Sequence, residues 1–437
     1  MNVEVRATKT SAEQALATAF AAARGTLPGE GAIAALRDDA FKRFDAKGLP
    51  HRRVEEWKYT DLRALMREAK PLAGPAGAKP KGDIAPILTG VEADRIAIVN
   101  GRYEPAWSDF KASDPGVIFA ELFKFLADNP EYLLGEVPGG DDPAQWLNTA
   151  FMSGGVALRI KRGTAVAKPI HIAHVFSGDA AAAMYPRVVI IVEPGAQVTL
   201  VESFSGPDGL DYQVNSALEL AIGDGAHVDH IKVGCDGDKA LRVSTLGVTI
   251  GAKAAYKDFA LTLGGAVVRN QTFVRFGGEG SQGAIDGASL LKGRQHVDNT
   301  LVINHAVGHC VSRERFKSVL DGESHGIFQG KIIVEPHAQK TDGKMMTRAL
   351  LLSDEAEADN KPELEIFADD VVCGHGATAG ALDPGLKFYL MSRGIPAKEA
   401  EALLVQAFIA EVIEEIAHEG IRDALTFAAL KWLGSRP

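Results

Sequence analysis

A short turn recurs down the middle of the chain. Lys161 opens KRGTAV, Glu193 opens EPGAQV, Gly223 opens GDGAHV and Glu335 opens EPHAQK, the first three starting 32 and 30 residues apart. The segments that carry them, GGVALRIKRGTAVAKPIHIAHVF, RVVIIVEPGAQVTLVESF and ALELAIGDGAHVDHIKV, followed by RVSTLGVTIGAKAAYKDFAL, are β-branched runs broken by glycine-containing turns. No helix-period segment separates them. Strands that return at a near-constant interval describe stacked coils, each burying its inward side chains on the coils before and after it. A β-sandwich also uses short strands and regular turns. Recurrence of the turn itself favours a β-helix over residues 151–383.

The flanks change period. Residues 1–150 read mainly as helix, and residues 384–437 read as helix again. Ser11 and Gln14 fit a capping box. AIAALRDDAFKRF sets Ile33, Leu36, Phe41 and Phe44 near helical spacing, and VIFAELFKFLADNP (Val117–Pro130) reads as a further short helix closed by Asn-Pro. PLAGPAGAKPKGD (Pro71–Asp83) is a connector that cannot continue a helix. Near the end, Val405, Phe408, Ile409, Val412, Ile413 and Ile416 form one apolar stripe, with Gly420 as a C-cap. Such a stripe packs on its own domain or docks a partner.

Composition narrows the function classes. A net charge of −10 with acids and bases intermingled is poorly suited to nucleic acid. Three cysteines at wide spacing, Cys235, Cys310 and Cys373, suit a reducing compartment and leave free thiols. The first twenty residues lack a basic start followed by an apolar run, and no segment approaches about 20 uninterrupted apolar residues. A cytoplasmic globular protein is the expectation.

ADDVVCGHGATAG (Ala368–Gly380) sets Cys373 and His375 two residues apart. On a strand they share a face, with Cα atoms roughly 6.6 Å apart, and thiolate and imidazole can lean toward one metal ion. Gly374, Gly376 and Gly380 leave room for another backbone. Two donors do not complete a tetrahedral site, so both side chains facing a core is the alternative. NHAVGHC places His305, His309 and Cys310 together and suggests a zinc-dependent enzyme. On a strand, however, the two histidines sit about 13 Å apart, too far for one ion. His227 and His230 face opposite ways. Asp369 and Asp370 could serve a β-helix polysaccharide lyase or hydrolase, but neighbours on a strand point apart. GGEGSQG (Gly277–Gly283) reads as a turn, and no P-loop, G-x-S-x-G elbow or CxxC occurs. No catalytic constellation is complete, so a non-enzymatic role is expected.

The block AQKTDGKMMTRALLLSDEAEADNKPELEIFADDVVCGHGATAGALDPGLKFYLMSRGI (Ala338–Ile395) closely resembles the C-terminal signature of the SufB/SufD family of iron–sulfur cluster assembly proteins. The likeness extends into EAEALLVQAFIAEVIEEI and back to EEWKYTDL (Glu55–Leu62). Gly376 and Leu390 lie on the SufD side of the family, whose SufB members typically carry glutamate and cysteine there. Val372 and GKMMTRA depart from the usual SufD wording. The resemblance implies a right-handed parallel β-helix flanked by N-terminal and C-terminal helical domains. It further implies pairing with a SufB-like subunit through the β-helix and docking of a SufC-like ABC ATPase on the C-terminal helices, which hold Val405, Phe408, Ile409, Val412 and Ile413. A nascent Fe–S cluster would form at the interface, where His375 matches the implicated SufD residue and Cys373 is its neighbour. Reduced FAD is implied in the complex, with no residue here to place it. A homodimer of the isolated chain is a further expectation.

Overall fold

The computed structural model describes residues 9–435, apart from 78, 80–82, 112–113, 130–131 and 133–140. Its centre is a parallel β-solenoid of about eight turns. One sheet stacks Asp94–Val99, Ile170–Val175, Gln197–Ser205, His227–Cys235, Ala255–Thr262, Gln282–Leu291, Val311–Leu320, Asp342–Leu351 and Val372–Ala381. The other stacks Val117–Glu121, Gly154–Ile160, Pro186–Val192, Gln213–Ile222, Leu241–Ile250, Val267–Phe276, His296–His305, His325–Val334 and Glu357–Ile366. The chain alternates between the sheets, so each coil adds one strand to both.

The recurring turn is the corner where the second sheet hands over to the first. Its backbone passes through the left-handed region at Gly163, Gly195 and Gly225, with φ of 67°, 71° and 65°. Later corners use Lys253, Gly280, His309 and Lys340, with φ of 53°, 71°, 60° and 62°. Glycine adopts this geometry without strain, whereas lysine and histidine do so at some cost. The corner opened by Glu335 is longer than those opened by Glu193 and Gly223, and its left-handed residue is Lys340 rather than His337.

Both faces of the central strands are covered. Val156, Leu158, Val188, Ile190, Leu218, Leu246, Val274, Ile303 and Ile332 fill the lumen. Outside the second sheet, Leu16, Phe20, Phe44, Trp57, Leu147 and Phe151 from the N-terminal region pack on Tyr185, Leu241 and Val243. Outside the first sheet, helix Ala397–Ile413 and helix Glu419–Gly434 cover Val201, Ile231, Val233, Phe259, Leu261, Leu290 and Val319. Among the described residues, no helix is long and apolar enough to cross a membrane.

Several local expectations need correction. Solenoid strands begin inside the first 150 residues: Asp94–Val99 joins one sheet, and Val117–Glu121 pairs antiparallel with Gly154–Ile160. The helix expected from Val117 therefore starts at Leu122 and runs to Asp128; its closing Pro130 and part of the 71–83 connector lie outside the described residues. The capping box sits one residue earlier than expected, with Thr10 and Glu13 exchanging hydrogen bonds of 3.2 and 2.7 Å. Gly420 is inside helix Glu419–Gly434 and caps nothing; the preceding helix closes at Glu414 without a glycine.

Candidate functional site at the open end of the solenoid

The solenoid ends on two uncovered strands. Val372–Ala381 closes one sheet and Glu357–Ile366 the other, and among the described residues no further strand pairs beyond either. An edge strand presents unpaired backbone donors and acceptors that a second chain can use. The two edges differ in character. Glu357–Ile366 holds Pro362 and the charged Glu357, Asp359, Lys361, Glu363 and Glu365, whereas Val372–Ala381 holds no Asp, Glu, Lys or Arg. Around this mouth Ile366, Phe367, Val372 and Met346 are exposed.

Cys373 and His375 both lie on the uncharged edge. Cys373 pairs with Gly343 and His375 with Met345, one strand deeper. Met345 belongs to the lumenal core and Cys373 packs against it, so this pair of positions faces the lumen at its mouth. Cys373 is half-buried and His375 exposed. Burial pushes the Cys373 thiol above its usual range, a bond with the Gly343 backbone opposes this, and Asp342 and Glu314 add to the rise. A Cβ at Gly374 or Gly380 would meet nothing within 4 Å, so this edge is open to another backbone. The two ends of the coil are tied across the mouth by Thr347, whose hydroxyl donates to Asn360 Oδ1 at 2.9 Å.

The lumen holds charge that the sequence reading missed. His174 Nε2 lies 2.9 Å from Glu202 Oε1, and His230 Nδ1 lies 2.7 Å from Asp258 Oδ1. Lys232 Nζ donates to Ser244 Oγ at 3.4 Å and stands 4.0 Å from Glu202. Burial pushes the Glu202 carboxyl up, but its bond to His174 and the nearby Lys232 outweigh that and hold it at about 2. Closer to the mouth, Glu314 is fully buried and its carboxylate has no well-formed hydrogen bond, although the Ser312 hydroxyl is near enough to act on it. Burial pushes it up to about 8; Ser312 and Arg313 oppose the rise and Asp286 adds to it. Ser312 is engaged with His305 Nε2 at 3.0 Å.

The other expected site residues are not brought together. His305 is buried in the lumen, stacked on Phe276 at 4.5 Å, while His309 is exposed at a left-handed corner. Cys310 is buried beside Ser281 Oγ at 3.4 Å. A zinc centre from His305, His309 and Cys310 is therefore absent, because the corner turns His309 away. Among the described residues, no three His, Cys, Asp or Glu side chains meet as a metal site. Val405, Ile409, Val412 and Ile413 are buried and Phe408 is partly buried, all against the chain's own solenoid. Of the two readings of that stripe, packing on its own domain is the one seen. The exposed apolar side chains of the C-terminal region are instead Leu386, Phe388, Tyr389 and Met391 on helix Pro384–Ser392, with Leu403, Phe427 and Leu430.

Comparison with known proteins agrees with this architecture. Residues 10–172 match the SufBD protein N-terminal region, and residues 174–408 match the SUF system FeS cluster assembly SufBD core domain. The iron–sulfur cluster assembly protein SufD of Escherichia coli is 31% identical over 381 residues, covering 86% of this chain and 87% of that protein. A SufBD-family assembly protein of Synechocystis is 30% identical, covering 84% of each chain. SufD of Bacillus subtilis is 27% identical, covering 85% of this chain and 87% of that one. These matches run through the helical flank, the solenoid and the rim that carries Cys373 and His375, and the chain belongs to the SufBD family of iron–sulfur cluster assembly proteins.

Proposed function

We propose that this chain is a SufD-like scaffold subunit without catalysis of its own, which pairs through its open end with a SufB-like subunit. A transient Fe–S cluster then forms at the seam, with His375 and Cys373 contributing donors. The observation that carries this reading is the placement of both side chains on the one uncovered, uncharged edge strand. Two donors cannot hold a cluster, which takes about four protein ligands. A second polypeptide closing on the edge supplies the remainder. In the isolated chain the same edge can pair with a second copy.

A SufC-like ATPase docks on the C-terminal helices. The exposed face of Pro384–Ser392, directly after the rim strand, suits that contact better than the buried stripe of Ala397–Ile413. Reduced FAD is carried over from the family as a companion of the complex, with no residue assigned to it.

The deciding experiment is affinity purification of the tagged chain from its native lysate under anaerobic conditions. A SufB-like protein and an ABC-type ATPase should come with it in stoichiometric amounts. Recovery of the chain alone, or paired only with itself, would overturn the heterocomplex.

A further inference from the structure

Glu314, Met345 and His375 occupy the same position on three successive strands. Glu314 pairs with Met345, and Met345 with His375. Beneath Glu314 the register continues to Ile285, which, like Met345, lies in the lumenal core. An oxygen, a sulfur and a nitrogen donor thus stand in one column along the inner wall, leading inward from the mouth. We propose that this column admits a ferrous ion, handing it from His375 past Met345 to an inner position on Glu314. The identity of the ion rests on the scaffold reading above.

The spacing suits a handover. Neighbouring parallel strands are about 4.8 Å apart. Bonds to nitrogen, oxygen or sulfur are about 2.0–2.3 Å long, so donors one strand apart are near enough to share an ion between them. The absence of a preformed three-ligand cage among the described residues fits a path on which an ion is held by two protein donors at a time.

Glu314 supplies the independent reason. A buried carboxyl without a well-formed hydrogen bond is costly in any protonation state, and the Ser312 hydroxyl, shared with His305, satisfies it at most in part. Arg313, its neighbour in sequence, relieves it only in part, being committed to Asp342 at 2.6 Å. An ion arriving from the mouth is the missing complement. Met345 stands between the two ends and is a flexible, polarizable side chain. Gly330 leaves room for its sulfur, since a Cβ there would come within 2.4 Å of Sδ.

The step needs no redox partner. Fe²⁺ replaces the proton of the neutral Glu314 carboxyl and one proton leaves to solvent. Because burial holds this carboxyl at about 8, it is mostly protonated at pH 7, so the displaced proton can be counted. The test is anaerobic calorimetric titration of the isolated chain with Fe²⁺ at pH 7, in buffers of different ionisation enthalpy. The parent chain should release about one proton more per ion than Glu314→Gln, and bind about tenfold more tightly. Met345→Leu, close in volume, should also lose the extra proton, and melting curves check that both variants are folded. An unchanged proton count in either folded variant overturns the column as a path. The titration uses the chain alone, so that result leaves the partner assignment, read from co-purification, standing.

Discussion

Lys317 Nζ donates to the backbone oxygen of Phe408 at 2.6 Å and also binds the Glu411 carboxylate. Its side chain is only 5% exposed. Lys317 sits on strand Val311–Leu320, in register with Arg348 on Asp342–Leu351 and then Thr378 on the rim strand. Arg348 reaches the same Glu411 at 3.6 Å. Helix Ala397–Ile413 is thereby tied to the two strands that underlie the mouth.

Replacing Lys317 by Met keeps the stem and removes the tie. Hydrogen bonds to charged groups contribute about 1.5–3 kcal/mol. Amide exchange in Ala397–Ile413 should accelerate by at least about tenfold while the lumenal strands keep their protection. Equal exchange in the variant would show that the apolar stripe alone seats the helix.

Two substitutions separate packing from docking. Val412 is 1% exposed against the solenoid, so Val412→Glu should destabilise the chain by at least about 3 kcal/mol. Phe388 is 72% exposed, so Phe388→Glu should change stability by no more than about 0.5 kcal/mol yet abolish co-purification of the ATPase. If the Phe388 variant retains the ATPase, the docking face lies elsewhere on the C-terminal helices.

His375→Ala should leave the melting temperature and partner pairing as they are, because the imidazole is exposed. Cluster yield on the reconstituted complex should fall by about tenfold or more. Unchanged yield would remove His375 from the ligand set.

Glu314 also predicts a dependence of stability on pH. Its carboxyl ordinarily titrates at 4.5 and is held at about 8 in the fold. Between those values the folded chain keeps a proton that the unfolded chain has released, so stability falls as pH rises through the window. The slope from one such group is at most about 1.4 kcal/mol per pH unit. Groups that act on it are Ser312, Arg313 and Asp286. Against Glu314→Gln, the parent should lose melting temperature progressively from pH 5 to pH 8. A gap between the two that stays constant with pH would contradict this.

How much of this was legible depended on the kind of residue at each place. The coil repeat showed through Gly163, Gly195 and Gly225, because left-handed corners favour glycine. It faded where Lys253, His309 and Lys340 hold the same geometry, since nothing in those residue types announces a positive φ. That Cys373 and His375 share a face was readable from spacing alone, because residues two apart on a strand must do so. The lumenal charges were not. In strands buried on both faces, alternation no longer separates inside from outside, and VSRERFKSVL gives no sign that Glu314 points inward while Arg313 points out. The stripe of Ala397–Ile413 is equally periodic whether a partner or the chain's own sheet covers it, so the pattern could not choose between them.

The contrast between the two terminal strands has a bearing on how the protein must be produced. Proline and alternating charge make Glu357–Ile366 a poor template for foreign strands, whereas Val372–Ala381 has no such guard. If a partner caps this edge as proposed above, a cell that makes the polypeptide faster than its cap accumulates molecules with one adhesive tip. Balanced supply of the two would then be a condition for keeping the pool dispersed.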